Sequence, residues 1–191
     1  YLVLNDLQEI IRLNRNSPGD TEAFGAPANQ IAIAKVMKAF VYQYLTDQYG
    51  PVPFDSALAG QSAGEFSPSY TSQPDVYSGL ITMLTEASDS IQTGETALSG
   101  GDLVYSGEME KWKKFANALK MRVAMRMSDQ RPQMAATAIN EAVNAGAFTS
   151  NDDNAEVPFG SPPYQNPIFG NYNSGRDDWA APQALTTFMN D

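Results

Sequence analysis

Between Tyr164 and Trp179 the chain gathers Tyr164, Phe169, Tyr172 and Trp179 together with Asn166, Asn171, Asn173, Arg176, Asp177 and Asp178. Aromatic rings offer flat apolar faces, and amides, carboxylates and a guanidinium offer planar hydrogen-bonding groups. A sugar needs both, the first for its C–H face and the second for its hydroxyls. The same composition also describes a loop whose rings cover a scaffold and whose Asn and Asp residues form turns. Phe66 to Tyr70 repeats the theme on a smaller scale.

Other chemistries have less to work with. The chain has no Cys and no His, which removes the thiol nucleophile, the disulfide frame, the usual zinc site and a Ser-His-Asp relay. Its 22 acidic residues allow many carboxylate pairs, but a glycoside hydrolase needs two held across one cleft. Nothing singles out such a pair, and no enzyme and no cofactor are expected. Asn151-Asp152-Asp153-Asn154-Ala155-Glu156 supplies hard oxygen ligands. Glu156, however, stands where a calcium loop of about twelve residues needs Gly at its sixth position, so a solvated turn is expected and no metal. A net charge of −10 argues against a nucleic-acid or anionic-membrane binder, because phosphate contacts need clustered Lys and Arg. No run approaches the roughly 18 apolar residues of a membrane span.

The elements that must position these residues read as helices. A hydrophobic fraction of 42% and a charged fraction of 18% suit a folded domain. Val3, Leu4, Leu7, Ile10 and Ile11 share one face over Tyr1 to Asn14, the spacing of a helix. Ile31 to Gln48 carries Ile33, Met37, Phe40, Val41, Tyr44 and Leu45 on one side and Ala32, Val36 and Ala39 on the other. A helix apolar on two faces belongs in the middle of a stack. Gly50-Pro51 ends it. Ser72-Gln73-Pro74-Asp75 starts the next helix, which reaches about residue 92. A further helix spans 108–128, and Pro132 opens one reaching about Asn144 after a connection short enough to make the two antiparallel. No helical period runs from Phe148 to Trp179, and Pro182 to Met189 is expected to form a short final helix. The fold class is therefore all-α, antiparallel helix pairs with long irregular loops. Helices 75–92 and 108–128 start about one tetratricopeptide length, about 34 residues, apart. One helical domain over 1–191 is expected, with an irregular region at 147–181. Tyr1 stands where an initiator Met would, and Leu2-Val3-Leu4 begins without a capping residue. The chain is therefore expected to be a portion of a larger protein.

The stretch from Glu108 to Ser128 anchors the rest. Met109, Trp112, Ala116, Leu119 and Val123 recur at three- and four-residue intervals, so Trp112 and Leu119 are expected in the core. Seven of the 12 basic residues lie on it or just beyond: Lys111, Lys113, Lys114, Lys120, Arg122, Arg126 and Arg131. The lysines are read mostly as a solvated face. Arg122 and Arg126, spaced i, i+4, are expected to be partly buried and bonded to helix ends or to loop carboxylates such as Asp102. Asn117 is expected to tie a loop backbone to the helix.

Several segments resemble one family in order. Ala32 to Tyr49 with Gly50-Pro51-Val52-Pro53-Phe54 and Ala57-Leu58 is similar to the segment of SusD/RagB-type outer-membrane lipoproteins that ends in a Tyr-Gly-x-x-Pro turn. Asp102-Leu103-Val104-Tyr105-x-Gly107, with Trp112-x-x-Phe115-Ala116-Asn117-x-Leu119-x-x-Arg122-x-Ala124-x-Arg126, resembles that family's most recognisable block. Ser150 to Ala155 resembles the piece that follows it, and Leu185-x-x-Phe188-Met189-Asn190-Asp191 resembles the approach to its Asp-Pro-Arg segment. The resemblance covers roughly residues 30 to 191. It implies a tetratricopeptide-like helical scaffold with irregular loops, and a surface-exposed binding lipoprotein of the outer membrane. Such a protein would be held only by a lipid anchor outside this chain. It would capture an oligosaccharide, or sometimes a peptide, and pass it to a TonB-dependent (SusC-like) transporter. A helical-repeat scaffold that binds only protein remains the alternative. Under the glycan reading the expected ligand contacts are Tyr164, Phe169, Asn171, Tyr172, Arg176, Asp178 and Trp179, and the expected structural residues are Asp102, Trp112, Asn117, Leu119, Arg122 and Arg126.

Overall fold

The computed structural model describes residues 1–191 except 61–63, 65, 99, 162–164, 176–182, 184–186, 188 and 190–191. The chain divides into two compact units, residues 1–156 and 157–191, where one domain was expected from sequence. The first unit carries α1 (Leu2–Asn16), a one-turn α2 (Pro18–Thr21), α3 (Pro27–Tyr49), α4 (Gln73–Ser90), α5 (Met109–Arg126) and α6 (Pro132–Ala145). A two-residue ribbon, β1 (Val52–Pro53) antiparallel to β2 (Tyr70–Thr71), closes the loop between α3 and α4. The second unit holds α7 (Pro167–Asn173). Sequence periodicity missed this helix because it is too short to show one. The final helix expected at Pro182 to Met189 lies mostly outside the described residues.

The long helices stack in chain order. α1 packs on α3, α3 on α4, α4 on α5 and α5 on α6. α3 therefore has neighbours on two sides, as its apolar residues on both faces require, and Ala32, Ile33, Val36, Ala39 and Tyr42 are buried. Phe40 and Tyr44, expected in that core, are instead 39% and 62% exposed. They lie on the flank of α3 beside the arginines of α5. Sequence punctuation sets the ends. Pro27 opens α3, and Gly50 takes φ 72° to close it, a left-handed conformation that lacks a Cβ penalty. Gly25, at φ 109°, pairs with Ala97, and a Cβ there would fall 2.5 Å from the Ala97 Cα. The buried Asn29 makes a second tie across the same place. Its amide donates to the carbonyls of Gln92 (2.9 Å) and Glu95 (3.1 Å) and accepts from the Gln92 N–H (2.8 Å).

The core gathers around α5. Trp112, 2% exposed, meets Tyr105 edge-on at 5.4 Å and Phe115 at 5.9 Å, and Phe115 stacks on Phe148 at 6.1 Å. Asp102 is the polar centre of this cluster. Its Oδ1 accepts from the N–H of Val104 (2.9 Å) and Tyr105 (3.1 Å), and its Oδ2 from Gly107 (2.8 Å) and the Trp112 indole (2.7 Å). Burial alone would raise the pKa of this carboxyl. The indole and the three backbone donors outweigh it and hold the carboxyl below its ordinary range. The turn that delivers those donors runs through Ser106 at φ 54° and Gly107 at φ 86°. Tyr105 continues the chain of ties by donating its hydroxyl to the Asp153 carbonyl at 2.8 Å.

The arginines of α5 do not reach Asp102, contrary to the sequence expectation, because the indole and the turn already occupy it. Arg122 donates to Gln43 Oε1 (3.0 Å) and lies over the Phe40 ring at 5.3 Å. Arg126 pairs with Asp47 at 3.2 Å and is half exposed. Asn117 donates its amide to the Gly146 carbonyl at 2.8 Å, and Leu119 is 2% exposed. The lysines are also less solvated than expected. Lys120 is 3% exposed and pairs with Glu141 at 2.7 Å. Lys114 pairs with Asp153 at 2.7 Å.

Replacing Asp102 with Asn keeps the shape but sets an amide NH2 against N–H donors, leaving at least one of them unmet. Each unmet buried donor costs about 1–3 kcal/mol. Asp102→Asn is expected to lower the urea midpoint accordingly with an unchanged slope, and an unshifted midpoint would refute the role assigned to this carboxylate.

Candidate functional site

The second unit carries the residues whose chemistry suits sugar. Asn166 accepts from the Ile168 N–H at 2.8 Å and so starts α7 as its cap, with Pro167 in the first turn. Phe169, Asn171 and Tyr172 fall within this one helix. Ile168 and Phe169 are each 58% exposed, and Asn171 is also exposed. Tyr164, Arg176, Asp178 and Trp179 lie outside the described residues. What is described is a short helix that shows an aromatic ring and an amide to solvent.

Two depressions of the first unit are lined by charged side chains that their positions in sequence do not bring together. One, of about 170 Å³, lies between α3 and α5 and is lined by Phe40, Gln43, Tyr44, Asp47, Arg122 and Arg126. Burial, then the neighbouring Arg126 cation, lowers the pKa of Arg122. Its polar groups are matched to one another, Arg122 with Gln43 and Arg126 with both Asp47 and solvent, while Tyr77 donates its hydroxyl to Asp47.

The other is larger, about 360 Å³, and lies between α1, α3 and α4. Gly79 makes its floor possible, since a Cβ there would stand 2.4 Å from the Phe54 ring. Gln8 and Arg15 face it from α1, Lys35 and Lys38 from α3, Glu86 from α4. Lys35 is paired with Glu86 at 2.7 Å. Lys38 is 9% exposed, and its amine donates to a neutral amide oxygen, Gln8 Oε1 at 2.6 Å. Burial first, then the Arg15 and Lys35 cations, pull the Lys38 pKa down to about 8. The signal in sequence is a lysine inside the apolar run Ile31-Ala32-Ile33-Ala34-Lys35-Val36-Met37-Lys38-Ala39-Phe40, on a helix whose two apolar faces leave little room for an exposed amine.

In the 151–156 run, Asp153 is committed to structure and not to a cation site. Lys114 first, then the Thr149 N–H, hold its carboxyl down to about 2. Among the described residues no three acidic side chains converge as metal ligands, and no helix is long and apolar enough to cross a membrane.

Residues 1–191 match the SusD-like family described as starch-binding, associating with the outer membrane. The chain belongs to the SusD-like family. Among solved structures it is similar to a SusD homologue from Bacteroides uniformis, with 30% identity, a TM-score of 0.76 and coverage of 91% of this chain and 34% of that one. A chitin-binding protein is 37% identical with a TM-score of 0.65, over 80% of this chain and 31% of that one. A chitin-binding SusD homologue from Flavobacterium johnsoniae is 26% identical with a TM-score of 0.70, over 87% and 34%. This chain thus spans about a third of the length of each of the three. No curated protein sequence matches it. The family is one of binding proteins, not enzymes, and its helical fold agrees with the architecture described above.

The isolation of the Lys38 charge has a measurable consequence for this SusD-like chain. A lysine whose folded pKa is depressed destabilises the fold while it is protonated, and the penalty is relieved as pH rises from about 8 toward the unfolded value near 10.5. Discounted for the solvent that reaches the cleft, the penalty is on the order of 1–2 kcal/mol. Lys38→Met is expected to raise the urea midpoint at pH 7, with the gap to the parent shrinking by pH 10.5. A less stable variant at pH 7 would contradict an uncompensated charge.

Proposed function

We propose that the protein to which this chain belongs is a glycan-binding nutrient protein of the outer membrane. It captures oligosaccharide at the cell surface and delivers it to a partner TonB-dependent, SusC-like transporter. In this reading the chain is an incomplete portion of a surface-exposed lipoprotein whose lipid anchor lies elsewhere in the molecule. The observation that carries the reading is the family match along residues 1–191, whose description is starch binding in association with the outer membrane. Two similar structures named as chitin-binding point to the same ligand class.

The 157–191 segment is the proposed contact region, with Tyr164, Phe169, Tyr172 and Trp179 as stacking faces. Asn171, Arg176 and Asp178 serve as hydroxyl partners. The exposure of Phe169 and Asn171 on α7 supports this assignment. The paired polar residues of the helical stack support leaving scaffold duty to α5.

Isothermal titration of the intact protein against starch-derived and chitin-derived oligosaccharides tests the reading. Binding is expected, and Trp179→Ala is expected to weaken it about tenfold or more, corresponding to about 1.4 kcal/mol or more. Silence across glycans combined with peptide binding, or with co-purification of a protein partner alone, would overturn it.

A further inference from the structure

The cleft between α1, α3 and α4 contains a feature that the scaffold leaves unanswered. A buried ammonium is ordinarily paired, because removing it from water without an opposite charge is expensive. Lys38 is 9% exposed, its side chain takes part in no ion pair within 4.0 Å among the described residues, and its amine donates to the neutral Gln8 amide. Its charged neighbours in the cleft are Arg15 from α1, Lys35 from its own helix and Glu86 from α4. The one carboxylate among them is already engaged by Lys35 at 2.7 Å. In a chain of net charge −10, this is a local concentration of positive charge opening onto about 360 Å³ of empty space, a size within the range of about 300–1,000 Å³ for small-molecule sites. Its apolar wall, Ile11, Phe54 and Met83, gives a sugar ring a surface to lie on.

We propose that this cleft binds the oxyanion of an acidic saccharide, a uronate carboxylate or a sulfate ester, with Lys38 as its charge partner and Arg15 and Lys35 at the rim. The inference rests on the glycan-binding reading and adds to it a second contact point, for saccharides that carry an acidic group. A carboxylate or sulfate accepts hydrogen bonds from several donors at once, and Lys38 has two of its three N–H groups free of the Gln8 contact. Occupation would supply the missing countercharge, so ligand binding would draw Lys38 into its protonated form.

The test is titration of the intact protein at pH 7 with three probes: an oligogalacturonate, a sulfated oligosaccharide and a neutral oligosaccharide of the same length. Stronger binding of either acidic probe than of the neutral one is expected, and which acidic probe wins identifies the oxyanion. Lys38→Met is expected to weaken acidic binding tenfold or more while leaving neutral binding in place, and Lys38→Arg to restore most of it. Raising the pH from 7 to 9.5 should also weaken acidic binding in the parent, as Lys38 loses its proton, and not in Lys38→Met. Equal binding of acidic and neutral probes, or a Lys38→Met variant that binds acidic probes as the parent does, would overturn the proposal. Failure of every saccharide to bind would overturn both this inference and the glycan reading beneath it, whereas neutral binding without acidic preference would sink the inference alone.

Discussion

One carboxylate organises the first unit. Asp102 collects the Trp112 indole and three backbone N–H groups, and in doing so it ties a tight turn to the middle of the core. A ring as large as Trp is buried easily for its hydrophobic area but leaves its N–H in need of a partner. The turn in turn has donors converging on one point with no helix or strand to satisfy them. Each solves the other's problem. Once Trp112 is fixed, Tyr105 packs edge-on against it and Phe115 packs at a tilt. The Tyr105 hydroxyl then holds the chain at Asp153. The path from α4 through α5 to the segment after α6 is thereby set by a few short contacts.

The basic character of α5 follows from the same logic. Its charges are largely answered within the fold: Lys111 by Glu108, Lys114 by Asp153, Lys120 by Glu141 and Arg126 by Asp47. Partly exposed pairs of this kind add little stability individually, but they leave little free positive potential for a ligand. Lys38 on α3 has the opposite situation, a buried charge beside other cations and a neutral partner. Removing that charge is expected to raise stability, and a perturbed charge held in a cleft is a pattern associated with function. Scaffold and recognition are thus separated by whether a polar group has been satisfied.

Much of this was legible in the amino-acid sequence. The alternation of apolar residues located α1 and α3 to α6 to within a few residues, because long helices that bury a face must repeat it. Gly50, Pro74 and Pro132 marked their boundaries through fixed backbone preferences. The burial of Trp112 and Leu119 followed from the same stripe. The partners of polar side chains were less legible. The spacing of Arg122 and Arg126 points to helix ends or a loop carboxylate as their partners, whereas the acceptors, Gln43 and Asp47, come from α3, and a single sequence does not reveal which two helices adjoin. The α1–α3–α4 cleft was missed for the same reason: Gln8, Arg15 and Lys38 meet only after stacking. α7 escaped because seven residues are too few to establish a period. Of the aromatic segment, Phe169, Asn171 and Tyr172 share that helix, while Tyr164, Arg176, Asp178 and Trp179 lie outside the described residues.

If α5 is scaffold and the oligosaccharide is met elsewhere, ligand binding should leave α5 undisturbed. Hydrogen exchange of the intact protein, with and without a saturating oligosaccharide, tests it most directly. Added protection within residues 157–191 and unchanged exchange along Met109–Arg126 are expected. Added protection concentrated on α5, with residues 157–191 unaffected, would contradict it.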